Sequence, residues 1–335
     1  MSLSFGRRAL GLGAIGLALP AVSRAQGPVP GPVPAPGWPG RPVRLVVPFP
    51  PGGSTDALAR RLAERMTASL GQPVLVENRP GAGGTTGADL VSKSAPDGTT
   101  LLMGVTGSNA IAGTLFPNLP YDPVAGFAPI SRVVSAPLVV AVNPETGLRD
   151  LAGYIAEARV NPGAITYATP GNGTSMHLTG VMFGLAAGVE LTHVPYRGTA
   201  QATTDLIAGR VRSSFGDLLI LLPQIRAGAV RALAVTGAAR HPLLPDVPTV
   251  AEAALPGFEA ESWQGVFAPP GTPPAILARL HAEVARAMEA PEIRDSFAGQ
   301  GFRVEATTPE SFAAFVRAEV GKWGQVVREG RVRLD

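Results

Sequence analysis

The stretch Leu45-Val46-Val47-Pro48-Phe49-Pro50-Pro51-Gly52-Gly53-Ser54-Thr55-Asp56 decides the fold. Its opening apolar run has the character of a strand buried on both faces, and the glycine pair followed by hydroxyl residues marks a tight turn that opens a helix. The pattern recurs as Ile165-Thr166-Tyr167-Ala168-Thr169-Pro170-Gly171-Asn172-Gly173-Thr174-Ser175. A helix that begins in such a turn presents free backbone N–H groups and the positive end of its dipole, so it attracts anions. Two facing copies would form a carboxylate trap.

Each turn alone is explained without a ligand: Gly52 and Gly53 relieve backbone strain while Ser54 or Thr55 caps a helix, and Gly171 to Ser175 admits the same account. The pairing favours binding, because both turns lie at carboxyl ends of strands, where open α/β sheets hold ligands. The candidate ligand-binding set is Phe49, Gly52, Gly53, Ser54, Thr55, Asp56, Gly171, Asn172, Gly173, Thr174 and Ser175. Valine at Gly53 or Gly173 is expected to block the carboxylate while leaving the fold intact.

Outward from these turns, strands and helices alternate. Strands are predicted at 43–48, 74–77 and 99–103, with helices at 56–70 (Leu58, Leu62 and Met66 on one face, Gly71 ending it) and from the 78–87 turn to about Ser94. This βαβαβ spacing predicts a parallel sheet covered by helices. After a strand at 137–142 the alternation restarts, with strands at 165–168, 191–194, 211–215 and 230–235 and helices at 148–158, 174–187, 201–208 and 218–226. The chain returns near 262–269, followed by a helix to Glu289, for which Thr272 is the expected cap and Pro273 the first-turn proline, and by a helix at 311–329. The predicted fold is α/β with two domains, 40–138 plus 264–335 and 139–263, each a mostly parallel sheet flanked by helices and joined by two crossover strands.

Two charged residues join the candidate set. Arg197 follows the strand at His193 and either clamps a carboxylate or makes an interdomain or surface salt bridge. Asp217 either meets an amino group or caps the helix at Leu218.

Other chemistries lack their residues. Gly81 to Gly87 does not fit a dinucleotide fingerprint, since the third glycine would fall at Thr86; close helix packing explains it. Gly173-Thr174-Ser175-Met176-His177 is not a nucleophile elbow, because His177 replaces the last glycine and points to another side than Ser175. An exported hydrolase using Ser175 or Ser54 is the competing class. His177, His193, His241 and His281 show no metal-ligand spacing, His177 and His193 being expected as structural groups and His281 as a surface one. Neither cofactor nor metal is expected, and zero cysteines exclude disulfides, thiolate metal sites and thiol nucleophiles.

Residues 1–25 read as an export signal: Arg7-Arg8 precede an apolar run from Ala9 to Val22, and Ser23-Arg24-Ala25 offers a cleavage site. The paired arginines leave the twin-arginine and Sec routes open. Cleavage removes Arg7, Arg8 and Arg24, leaving 25 basic against 25 acidic residues, so the formal charge of +3 lends no support to nucleic-acid binding. Residues 26–39 are Pro/Gly-rich and read as a linker, Trp38 marking where packing begins.

Ordered segments across nearly the whole mature chain resemble the Bug (TctC-like) family, the periplasmic solute receptors of tripartite tricarboxylate transporters. They include Arg41 to Gly53, Leu70-Gly71-Gln72-Pro73, Glu77-Asn78-Arg79-Pro80-Gly81-Ala82-Gly83-Gly84, Leu119-Pro120-Tyr121-Asp122-Pro123, His193-Val194-Pro195-Tyr196-Arg197-Gly198 and Leu244-Pro245-Asp246-Val247-Pro248-Thr249. The resemblance implies two α/β domains that close on a small carboxylate, held by the two turns and ordered water, for delivery to a cytoplasmic-membrane permease by a monomeric periplasmic protein without enzymatic activity. A receptor that signals to a membrane sensor fits the same resemblance. Ala112-Gly113 stands where the family often has Asn-Pro, and Arg197 replaces a frequent lysine, so the part of the pocket reading the far end of the solute is not carried over.

Overall fold

A computed structural model describes residues 1–2 and 37–334. The export signal, its cleavage site and most of the 26–39 linker lie outside the described residues. Trp38 is the expected first anchor: its indole Nε1 donates to the Asp97 carbonyl at 2.9 Å, and the ring packs on the core.

The first half runs β1 (Val43–Val47), α1 (Ser54–Leu70), β2 (Val74–Asn78), α2 (Thr85–Ser92), β3 (Thr100–Val105), α3 (Ala112–Leu115) and the long β4 (Ala128–Val142). Then come α4 (Leu151–Val160), β5 (Thr166–Thr169), α5 (Ser175–Ala187), β6 (Thr192–Pro195), α6 (Thr199–Ile207), β7 (Ser213–Asp217), α7 (Leu218–Arg226), β8 (Arg231–Val235) and α8 (Val250–Ala253). The chain returns through β9 (Glu261–Ala268), α9 (Pro274–Glu289), α10 (Pro291–Ala298), β10 (Arg303–Val304) and α11 (Pro309–Glu329).

Local chemistry explains the elements around the site. Burial of Leu58, Ala59, Leu62, Ala63 and Met66 holds α1 against the sheet, and Gly71 ends it at φ 67°, its N–H bonded to the Thr67 carbonyl. In β1 four of five residues are buried and in β3 all six, as expected of central strands covered on both faces.

Strand order is β2-β1-β3-β9-β4-β7-β5-β6, with β8 and β10 also paired to β4. Pairs β1–β2, β1–β3, β5–β6 and β5–β7 are parallel, whereas every pairing of β4 or β9 is antiparallel. β4 is shared between the two parts of the sheet. Its first part pairs with β9 as far as Pro137↔Glu261, and its second begins pairing with β7 at Leu138↔Asp217. Proline lacks an N–H, and Pro137 sits where β4 exchanges one partner for another. The apolar core runs across that exchange, joining Val46, Leu102 and Phe267 to Tyr167, Phe183 and Phe215.

Several expectations needed adjustment. The strand expected at 137–142 begins at Ala128, and α3, α8, α10 and β10 were not anticipated. Thr272 does not cap α9; its hydroxyl donates to the Pro269 carbonyl at 2.8 Å. His281 is half-buried, with Nε2 3.2 Å from the Thr307 carbonyl, and is not a surface group.

Candidate functional site

The turn from β1 into α1 is built around Asp56. Its Oδ2 accepts from the Gly52 N–H (3.0 Å) and Arg60 Nε (2.9 Å), and its Oδ1 from Arg60 Nη2 (3.0 Å) and Asn78 Nδ2 (2.9 Å). Burial raises its pKa, but bonds from Arg60, Gly52 and Asn78 hold the carboxyl below the ordinary range. Gly52 needs its left-handed φ of 88° to aim its N–H at this carboxylate. Asp56 and Gly52 therefore fix the turn, leaving Phe49, Gly53, Ser54 and Thr55 to face the pocket. No side chain caps α1, so its first N–H groups remain open to a ligand.

In the second turn Thr174 is the N-cap of α5, accepting from the His177 N–H (3.3 Å) and donating to the Gly171 carbonyl (2.8 Å). The Gly173 N–H donates to His177 Nδ1 at 3.1 Å, and the His177 ring stacks on His193 at 3.9 Å. Burial pushes the two imidazoles down to about 4 and about 3, the second lowered further by its neighbour. Both histidines thus support the turn, as the sequence suggested.

These turns converge on one pocket of about 650 Å³, its open mouth included. Pro170, Thr174, Ser175 and Met176 line it from the second turn. A third helix end, unforeseen, contributes Gly198, Thr199 and Ala200; α6 also begins without a side-chain cap. The sequence did carry a signal for it, since Gly198-Thr199 repeats the glycine–hydroxyl step after a strand. Val105, Gly107 and, from β9, Ser262 and Gln264 complete the wall.

Asp217, at the end of β7, is the one ionisable side chain in this lining. Its Oδ2 accepts from Ser54 Oγ at 2.7 Å, joining β7 to the start of α1. Burial pushes its carboxyl up to about 6, the Ser54 bond partly offsetting that rise. It makes no side-chain cap to α7, so the capping alternative fails.

Of the candidate residues, Phe49, Gly53, Ser54, Thr55, Thr174, Ser175 and Asp217 line the pocket, whereas Gly52, Asp56, Gly171, Asn172, Gly173 and Arg197 do not. Gly171 shapes the turn, its carbonyl accepting from Thr169 and Thr174. Asn172 is exposed, and its carbonyl abuts Gly83, where any Cβ would collide with it. This contact, with the Gly87 fit against Pro48, bears out the packing account of the 81–87 glycines. Arg197 is exposed and makes no hydrogen bond or ion pair among the described residues; Tyr196 beside it instead bonds Asp205 at 2.9 Å. Gly173 has φ 76°, and a Cβ there would approach Leu115 to 3.1 Å and Phe116 to 3.2 Å. Valine at Gly173 therefore strains the fold, contrary to the expectation of an intact one.

Neither pocket serine has a histidine partner among the described residues. Ser54 bonds Asp217, and Ser175 bonds Ser262 at 3.1 Å. No cluster of metal-binding side chains occurs among the described residues, nor is any helix there long and apolar enough to cross a membrane.

A family model described as "Tripartite tricarboxylate transporter family receptor" matches residues 58–331. BugT of Bordetella pertussis is 38% identical over 319 residues, covering 95% of this chain and 98% of BugT. Rpa4515 of R. palustris, solved with adipate, superposes with TM-score 0.85 at 35% identity, over 88% of this chain and 99% of that one. MatC from Rhodopseudomonas palustris, solved with bound malate, gives TM-score 0.83 at 35% identity, over 87% and 100%. The family and these neighbours are binding and transport receptors of the periplasmic-binding-protein fold. With the fold and this extent of matching sequence, the chain belongs to the tripartite tricarboxylate transporter receptor family.

Proposed function

We propose that this chain is an exported receptor that captures a small carboxylate in the pocket where α1, α5 and α6 begin, and passes it to a cytoplasmic-membrane permease without transforming it. The observation that carries this reading is the lining itself. Three helix N-termini and the hydroxyls of Thr55 and Thr199 surround a pocket with no lysine, arginine or histidine in its wall, the hydroxyl protons of Ser54, Thr174 and Ser175 being given to Asp217, the Gly171 carbonyl and Ser262. An anion there would be held by amides and hydroxyls, which act strongly where water is excluded. The adipate and malate of the two solved neighbours belong to the same ligand class.

Segments 40–138 plus 264–335 and 139–263 act in this reading as two lobes hinged at β4 and β9. The Ser54–Asp217 bond then joins the lobes in the closed form, whereas the Ser175–Ser262 bond lies within the second one. In this reading the 1–25 signal directs export to the periplasm, where the receptor works as a monomer.

Calorimetry and thermal shift of the mature chain with small mono- and dicarboxylates test the proposal. Saturable binding of a carboxylate, lost in Gly53→Val, supports it. At Gly53 φ is −87°, so valine meets no backbone strain, but its Cβ would stand 3.3 Å from Thr199 Oγ1 inside the pocket. No saturable binding by any carboxylate sinks it.

A further inference from the structure

The pocket that offers amide and hydroxyl donors also contains acceptors that the protein leaves wholly or partly free. Asp217 is buried, and its carboxylate receives a single hydrogen bond among the described residues, from Ser54. Gln264 is only 4% exposed, its side-chain amide makes no hydrogen bond there, and its Oε1 is out of water without a partner. Both side chains line the pocket. A buried acceptor left unpaired costs the full desolvation of that group, and a buried carboxylate repels a second negative charge strongly because water no longer screens it. No cationic side chain lines the pocket to neutralise Asp217, so the counter-group has to arrive with the ligand.

Resting on the carboxylate-receptor reading above, we infer that the pocket selects carboxylates that also carry a hydrogen-bond-donating group, an ammonium or a hydroxyl, received by Asp217 and Gln264. A second ionised carboxylate is disfavoured. The carboxylate of the ligand takes the helix-end donors, and its donor group takes the acceptors. Val105, Met176, Phe49 and the prolines of the wall contact the carbon chain between them. Asp217 is thereby a specificity-determining residue, and its bond from Ser54 keeps one oxygen occupied while the other is left for the ligand.

Calorimetric titrations near pH 8 with sets matched in chain length test this: an amino acid, a hydroxy acid, the unsubstituted monocarboxylate and the dicarboxylate. The donor-bearing members should bind about tenfold or more tighter than the other two. Asp217→Asn, checked for folding by circular dichroism, should reduce the preference of amino acid over dicarboxylate by about tenfold or more. Gln264→Leu should weaken the donor-bearing members while leaving the unsubstituted acid within about threefold. Equal or tighter binding of the unsubstituted acid or the dicarboxylate by the wild type overturns the inference while leaving the receptor reading standing. An unchanged ratio in folded Asp217→Asn does the same. If that variant fails to fold, the wild-type ratios decide. Failure of every carboxylate to bind overturns the receptor reading and this inference with it.

Discussion

Ser54→Ala separates the closed pocket from the rest of the fold. In the structure the Ser54 hydroxyl gives the Asp217 carboxylate its only hydrogen bond among the described residues, at 2.7 Å and out of water. A hydrogen bond to a charged group contributes about 1.5–3 kcal/mol, and one between neutral groups about 0.5–1.5 kcal/mol. In the two-lobe reading proposed above this bond forms on closure, so its loss should appear in affinity: about 10- to 150-fold weaker binding. The melting temperature of the unliganded protein should move little, since Asp217 is rehydrated when the lobes part. Ser175→Ala, which removes a neutral hydroxyl pair with Ser262 at 3.1 Å inside the second lobe, is the internal comparison and should cost at most about 12-fold. In an Asp217→Asn background, Ser54→Ala should fall to that smaller range, giving a coupling of about 1 kcal/mol or more. Calorimetric dissociation constants for the four variants, with unliganded melting curves, supply every number. An affinity within threefold of wild type in Ser54→Ala, or a larger loss in Ser175→Ala, would refute the reasoning.

Further outcomes follow from the same geometry. Glu319 Oε2 accepts from the indole N–H groups of both Trp263 and Trp323 at 2.8 Å in the core, so Glu319→Ala orphans two buried donors. It should lower unfolding free energy in urea by about 3–5 kcal/mol. Gly173→Val should lose about 1–3 kcal/mol of stability from its left-handed φ and its contact with Leu115, seen as a reduced denaturation midpoint before any ligand is added. The buried imidazoles set a pH dependence. Their folded-state pKa values lie below the ordinary 6.5, so the stability they contribute is complete above 6.5 and is lost as pH falls toward about 4 for His177 and about 3 for His193. Between pH 7.5 and 5 the unliganded protein should lose a few kcal/mol, and His177→Gln should flatten that loss. A flat wild-type profile would contradict the neutral stacked pair.

Most of the fold was legible because each strand-to-helix step is written locally. Gly52-Gly53-Ser54 and Gly171 to Ser175 announced α1 and α5, and the apolar periodicity of Leu58, Leu62 and Met66 gave α1 its inward face. The first half of β4 escaped because Pro129, Ser131, Arg132 and Ser135 break any alternating pattern. That segment is a strand because β9 pairs with it from far along the chain, with register shifts at Pro129/Ser131 and Arg132/Val134. In the site, the sequence identified turns but not directions. Asp56 and Ser54 are two residues apart, yet one side chain folds back on Gly52, Arg60 and Asn78 while the other crosses to Asp217. Arg197 looked suited to an anion by its place after a strand, and only the packed turn shows it exposed. Ser262 and Gln264 reach the pocket through the pairing of β9 between β3 and β4, a long-range fact no local motif records.

The central claim is that backbone amides and hydroxyls at three helix ends, without a cationic side chain, grip a negatively charged carboxyl group. Calorimetric titration of the mature protein with each small carboxylate and its uncharged primary amide tests it most directly. The account requires one-to-one saturable binding of a carboxylate at least about a hundredfold tighter than its amide. Equal affinity for the two, or no saturation by any acid, would contradict it.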